Sequence, residues 1–228
     1  MNRQGFAETL DLAAPAPAER AERDLAAGLY ARRGKRALDT VLILLAAPFV
    51  LPVVALLALL VALDGGPAFY GQTRLGKGGR PFTCWKLRSM AVDADARLAA
   101  LLAEDPAAAA EWARSQKLSR DPRITPLGRR LRAVSFDELP QLWNVLRGEM
   151  ALVGPRPMTP EQAPIYPGRA YFAVRPGLTG PWQVSERHES AFAGRAGYDA
   201  AYVRDLSLAS DIRLLARTVG VVLRGQGA

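Results

Sequence analysis

The stretch Ser135 to Pro157, SFDELPQLWNVLRGEMALVGPRP, sets two adjacent carboxylates, Asp137 and Glu138, ahead of a rigid Gly154-Pro155-Arg156-Pro157 turn. Acidic groups with an arginine fixed between prolines suit the handling of an anionic substrate, because a guanidinium holds phosphoryl oxygens in pairs. A purely local reading competes. Ser135 followed three residues later by Glu138 matches a capping box, and on that reading the acids only start a helix. With Ser135 as the N-cap, Pro140 would fall inside the helix and press on the carbonyl of Phe136. With Asp137 as the N-cap, Pro140 fits the first turn, whose amides lack helical partners. Either way the pattern predicts Asp137 at a helix N-terminus. Such a terminus gathers anions, so a carboxylate and a phosphate can meet there once a divalent cation and nearby arginines offset their repulsion. Capping and chemistry both stand on these residues alone.

The elements around the pair carry more basic groups. Ala68 to Leu75 and Pro81 to Leu87 read as two short strands around a turn holding Gly76, Gly78 and Gly79. With a side-chain period of two, Gln72 and Arg74 share a face of the first strand, and Lys86 and the following Arg88 share a face of the second. This is either a phosphate clamp or a basic, solvated edge that discourages aggregation. Asp93 to Lys117 is alanine-rich and reads as two helical pieces broken at Pro106. Leu127, Leu131 and Val134 form the stripe of a short helix whose Arg129, Arg130 and Arg132 point elsewhere, a form suited to lying on anionic headgroups. Near the C-terminus Ile212, Leu215, Ala216, Val219, Val222 and Leu223 recur at helical spacing among Arg213, Arg217 and Arg224. Core packing explains that stripe as well as membrane contact does.

From Val41 to Leu63 all 23 residues are apolar. One straight helix of that length would extend about 34 Å, enough to cross a bilayer core. Pro48 and Pro52 oppose a straight helix, since each lacks an amide and crowds the carbonyl four residues back. Basic residues flank both ends, Arg32, Arg33, Lys35 and Arg36 before and Arg74, Lys77, Arg80, Lys86 and Arg88 after. Both flanks favour the cytoplasm, which a hairpin entering and leaving by one leaflet satisfies and a single span does not. Arg36 and Asp39, three apart, are expected to pair at the water boundary.

At 228 residues, half of them hydrophobic, the chain can build a sizeable core. Its net charge of +8 favours nucleic acid, anionic lipid or phosphorylated ligands as partners without choosing among them. The lone Cys84 excludes an intramolecular disulfide framework and points to a reducing compartment. The lone His188 excludes zinc sites built on several histidines. Residues 1–34, rich in Ala, Pro, Glu and Arg, read as a flexible tail without the pattern of a secretory signal.

Several motifs follow one another in a fixed order: Lys35-Arg36-x-x-Asp39, Gln72-x-Arg74-x-Gly76, Lys86-x-Arg88-Ser89-Met90, Asp121-Pro-Arg-Ile-Thr125, SFDELPQLWNVL, Val153-Gly-Pro-Arg-Pro157, Arg175-Pro-Gly-Leu-Thr-Gly180 and Trp182-Gln183. Together they resemble the bacterial sugar transferases, the polyprenyl-phosphate hexose-1-phosphate transferases of the monotopic phosphoglycosyl transferase superfamily. Among these the short form resembles most the exopolysaccharide-initiating galactose-phosphate transferases. The resemblance implies an α+β monotopic membrane protein. A tail (1–34) would precede a re-entrant helix-break-helix hairpin (35–66) and a cytosolic catalytic domain (67–228) with a small β-hairpin and amphipathic interfacial helices.

The implied reaction transfers hexose-1-phosphate from a UDP-hexose, galactose or glucose, to undecaprenyl phosphate and releases UMP. It would take place on the cytoplasmic face of the bacterial inner membrane, among its lipids and with no nucleic acid partner. By resemblance Asp137 is the nucleophile that forms an aspartyl phosphosugar, and Mg2+ is the cofactor, with Asp137 its main protein ligand. Glu138 would be a second acid or fix the geometry of the pair. Lys86 and Arg88 would hold phosphoryl oxygens, Arg156 and Arg175 nucleotide or phosphate, and Gln183 belongs to a matching motif. Lys35, Arg36, Asp39, Pro48 and Pro52 would form the membrane hairpin and its headgroup boundary.

Two departures stand out: Leu51 precedes Pro52 where the family pattern has a Ser-Pro or similar pair, and Glu186 replaces a common glycine before Arg187, near the expected sugar pocket. The sequence leaves the oligomeric state open, a homodimer included. A membrane-anchored adaptor with a basic anion-binding face is the alternative outside enzymes; within them it is a glycosyl transferase that moves sugar without phosphate.

Overall fold

The computed structural model describes residues 28–115, 118–185 and 192–224, so the expectations for most of the tail and for Glu186, Arg187 and His188 lie outside the described residues. A π-helical turn, Tyr30–Gly34, leads into α1, Lys35–Ala62, one continuous helix that runs through Pro48 and Pro52, so the break expected at Leu51-Pro52 is not seen. Lys35, Asp39 and Ile43, spaced four apart, form a buried face at its start, and Val61 is buried near its end. Between them Leu44, Leu45, Phe49, Leu51, Leu56 and Leu59 are exposed. So much apolar surface without a protein partner is compatible with membrane association.

Both ends of α1 are fastened to the rest of the protein. At the start, Lys35 pairs with Asp211 at 2.6 Å, both side chains buried, and Tyr30 and Tyr202 also donate to that carboxylate. The amide of Leu152 meets Asp39. At the end, Val61 packs with Leu87 and Leu131, while Arg88 donates to the Val61 carbonyl and pairs with Asp64.

The predicted β-hairpin is present. Strands β1, Phe69–Leu75, and β2, Pro81–Leu87, pair antiparallel from Phe69 opposite Leu87 to Leu75 opposite Pro81. Gly78 and Gly79 take φ of 68° and 75° in the turn, a region open to glycine at little cost. Register puts Gln72 opposite Cys84 and Arg74 opposite Phe82, so Arg74, Cys84 and Lys86 share the half-buried inner face.

The alanine-rich segment forms α2, Ala94–Glu104, and α3, Pro106–Ser115, divided just before Pro106 as expected. Helix α4, Pro126–Ala133, is capped by Thr125, whose hydroxyl accepts from the Gly128 amide. Its Leu127 and Leu131 pack on the end of α1. Helix α5, Gln141–Arg147, ends at Gly148 with φ 80°, and Arg36 closes it by donating to the carbonyls of Val145 and Leu146. The expected Arg36–Asp39 pair at the water boundary is therefore absent, because carbonyls at a helix end claim the guanidinium and Asp39 is buried.

Strand β3, Ala151–Val153, runs parallel to β4, Gly177–Thr179, with the short helix α6, Ala170–Ala173, between them in sequence. Then follow α7, Pro181–Ser185, α8, Arg195–Arg204, and α9, Leu208–Leu223. The main core joins Ile43 of α1, Cys84 of β2, Val145 of α5, Val153 of β3, Val203 of α8 and Leu214 of α9. In α9 it is Leu214 that is buried, while Ile212 and Val219 of the expected stripe face outward.

Candidate active site

Asp137 and Glu138 lie in a tight turn, Phe136–Glu138, upstream of α5. Neither capping reading survives. Ser135 takes a left-handed φ of 58° without a side-chain cap, and Pro140 itself occupies the N-cap position of α5. The left-handed residue reverses the chain between α4 and α5 and turns both carboxylates inward, where they are 4% and 6% exposed.

Glu138 is neutralised by Lys86 at 2.8 Å and approached by Arg156 at 3.4 Å. Asp137 differs, because its Oδ1 is buried with no hydrogen-bond partner. Burial raises its pKa above the usual carboxylate range, Lys86 opposes that rise, and Glu138 adds to it. Arg132, anchored by Ser89 at 2.8 Å, lies close enough for Asp137 to favour its charge against the burial that lowers its pKa. An orphaned, buried carboxylate oxygen ringed by cations is prepared to accept something the protein does not supply.

Arg156 arrives through a main chain held at almost every residue. The Gly154 amide donates to Thr179 and the Gly177 amide to Pro155, both at 2.8 Å, and the Leu75 amide to Met158 at 3.0 Å. Tyr202 holds the Val153 carbonyl, Arg74 the Pro157 carbonyl and Arg195 the carbonyl of Arg156 itself. A Cβ on Gly177 would stand 2.0 Å from the Gly154 nitrogen, so β3 and β4 close on each other only through glycine.

The structure thus brings together Asp137, Glu138, Lys86 and Arg156, and adds Arg74, Arg132 and Gln141. Arg74, Lys86, Glu138 and Arg156 line one small cleft with Gln141 at its side. Burial and the facing Arg156 charge both lower the pKa of Arg74. Arg88 is not brought in. The strand ends at Leu87, and Arg88 is buried against Asp64 and the carbonyls of Val61 and Pro67, where it locks the end of α1.

Arg175 precedes β4 and stands near Lys77, whose pKa falls through burial and then through that neighbour. Gln183, 4% exposed, has neither amide atom partnered; its Oε1 lies beside Gly180. Lys35 and Asp39 are buried in the protein, not placed at a headgroup boundary as expected, because Asp211 and the Leu152 amide draw them inward. A larger cleft of about 410 Å³ opens elsewhere, beside Asp64, Arg97 and Arg123. There each guanidinium already has its carboxylate, Arg88 with Asp64, Arg97 with Asp93 and Arg123 with Asp121.

The sequence that builds this site has counterparts in known proteins. The family model described as bacterial sugar transferase matches residues 30–225. The chain belongs to the bacterial sugar transferase family. The UDP-galactose-lipid carrier transferase of Erwinia amylovora is 46% identical over 196 residues, covering 85% of this chain and 41% of the relative. This chain thus spans about two fifths of that longer protein. The exopolysaccharide production protein ExoY of Sinorhizobium fredii is 41% identical over 197 residues, covering 85% of this chain and 87% of the relative. The UDP-glucose:undecaprenyl-phosphate glucose-1-phosphate transferase of Caulobacter vibrioides is 38% identical over 205 residues, covering 85% and 71% respectively.

For a magnesium ion the donor set here is small. Among the described residues no three carboxylate, cysteine or histidine groups converge as a metal cage. Magnesium, however, is commonly held by one or two carboxylates together with substrate phosphates and waters. The buried Oδ1 of Asp137, without a hydrogen-bond partner, is one oxygen of the kind such an ion takes.

Proposed function

We propose that this protein transfers a hexose-1-phosphate from a UDP-hexose to undecaprenyl phosphate, releasing UMP, as the first membrane step of exopolysaccharide or lipopolysaccharide repeat-unit assembly. The observation that carries the chemistry is Asp137, buried, with one oxygen unpartnered and Lys86, Arg132 and Arg156 around it. The relatives' names supply the substrate classes, with galactose in one and glucose in another.

On this reading an Asp137 oxygen attacks the distal phosphorus of the donor. A P–O bond forms while the bond to the bridging oxygen breaks, and UMP departs with that electron pair. A lipid phosphate oxygen then attacks the same phosphorus and returns the Asp137 carboxylate. Two displacements let two anionic phosphates bind in turn instead of together. Lys86, Arg156 and Arg74 set the field for the diphosphate, and Glu138 holds Lys86 and Arg156 in place. Asp137, assisted by Glu138, would hold Mg2+. When bound, the ion supplies charge neutralisation at the phosphoryl oxygens. Arg175 and Gln183 would serve the nucleotide or sugar side, and Arg88 the fastening of α1.

We assign the membrane mode as re-entrant, with α1 entering the cytoplasmic leaflet of the bacterial inner membrane and the catalytic body on the cytoplasmic face. Support comes from the two ends of α1 gripping one body, through Lys35 with Asp211 and Arg88 with Asp64. The outward Leu208, Ile212 and Val219 of α9, beside exposed Arg213 and Arg217, would lie on the lipid surface. The test is UMP release by purified protein given undecaprenyl phosphate, magnesium and a panel of UDP-sugars. UMP from a UDP-hexose is expected, at rates reduced at least a thousandfold by Asp137→Asn. Release of UDP instead would mean sugar transfer without phosphate, and an unchanged Asp137→Asn rate would exclude this nucleophile.

A further inference from the structure

We propose that Arg195 is a positioning residue for the phosphate-binding Arg156, acting through the Arg156 main chain. Arg195 is the first residue of α8 and is 4% exposed. Its guanidinium lies 5.1 Å from the ring centres of both Trp182 and Phe192, and one terminal nitrogen donates to the Arg156 carbonyl. Its Nε has no hydrogen-bond partner.

A guanidinium so placed is costly, because burial disfavours its charge and an unmatched N–H forfeits its hydration. The burial shows as a lowered pKa, which Asp199, one turn along α8, partly offsets and Arg156 deepens. An apolar side chain between the same two rings would pack without those penalties. What it could not do is hold the carbonyl of Arg156.

That hold completes a set. Pro155 and Pro157 have no amides to contribute, so the path of the turn is fixed through its carbonyls: Pro155 by the Gly177 amide, Arg156 by Arg195 and Pro157 by Arg74. With these in place, the side chain of Arg156 is directed at Glu138. Pro157 limits how far the released peptide could turn, but a shift of about an ångström at a phosphate ligand is enough to weaken donor binding. Arg195 itself need not touch the substrate.

The proposal rests on the transferase reading above, and the test separates the two. Full-length protein in lipid nanodiscs with undecaprenyl phosphate is assayed for UMP release as wild type, Arg195→Met, Arg195→Lys, Arg156→Ala and Arg156→Ala with Arg195→Met. Arg195→Met is expected to raise donor KM about tenfold, within the coupling range of directly contacting residues. Arg195→Lys, which keeps a donor for the carbonyl, should recover part of that loss. In the Arg156→Ala background Arg195→Met should leave KM unchanged. Independent, multiplying effects on KM would overturn the positioning role and indicate a general packing residue, as would a wild-type KM in Arg195→Met. If Arg195→Met does not fold, the same cycle with Arg195→Lys decides between coupled and independent effects. A wild type that releases no UMP from any UDP-sugar overturns the underlying reading, and this one with it.

Discussion

Burial gives Asp137 its distinctive state: the fold pushes its pKa up, and Lys86 is the first group pulling it back. A nucleophilic carboxylate must be ionised, so UMP release should fall as pH drops through a value above the ordinary aspartate range. Lys86→Met should move that acid limb to higher pH and lower the plateau, which a pH–rate profile of both proteins checks; coincident profiles would remove Lys86 from the site. Asp199 gives a separate test of stability. It accepts from Tyr166 at 2.7 Å, and burial raises its pKa to about 6. The native state therefore retains a proton that the unfolded chain loses from about pH 4 upward. Its contribution to stability is fully present below the unfolded value and declines as pH rises to about 6. The thermal midpoint of Asp199→Asn relative to wild type should accordingly climb across that window and level off above it. The acidic pair, Lys86 and Arg156, singled out by spacing and motif, do lie together in the fold. Spacing misdirected Arg88, because the end of β2 frees that residue to turn toward Asp64. Arg132 reads from the sequence as part of a helix face suited to headgroups, yet it lies close enough to Asp137 for that carboxylate to favour its charge. Arg195 carried no local signal, since its contact with Arg156 spans 39 residues.

Among the elements, the hairpin of β1 and β2 was legible because alternation and a glycine turn act locally, and the division of α2 from α3 because Pro106 does. The rotation of α9 was not legible. Asp211, bound by Lys35, Tyr30 and Tyr202, turns Leu214 inward and leaves Ile212 outside. No periodicity count contains that long-range anchor. Breaking such a buried pair on one side is expensive, so Lys35→Met should destabilise the protein by about 3–5 kcal/mol. Adding Asp211→Leu should restore part of the loss, as read by thermal unfolding in detergent. If Lys35→Met left the midpoint unchanged, α1 would not depend on this anchor. Gly177→Ala should likewise lower the midpoint and the rate together, because its Cβ would meet the Gly154 nitrogen at 2.0 Å.

At the scale of the whole molecule, one body holds both ends of a long apolar helix and places the acidic pair among cations from four segments: Arg74 of β1, Lys86 of β2, Arg132 of α4 and Arg156 of the turn. That arrangement suits a reaction between a water-soluble nucleotide sugar and a lipid phosphate, in which chemistry must occur at the membrane surface. Tags after Met1 and after Ala228 should be accessible from the same side of sealed vesicles; access from opposite sides would mean that α1 spans the bilayer. The central claim is a covalent step through Asp137, and intact-mass analysis of the protein given UDP-hexose and magnesium without undecaprenyl phosphate tests it most directly. The account predicts UMP release close to one equivalent and a gain of one hexose phosphate on the peptide that contains Asp137. No adduct, with UMP formed only when the lipid is also present, would contradict it.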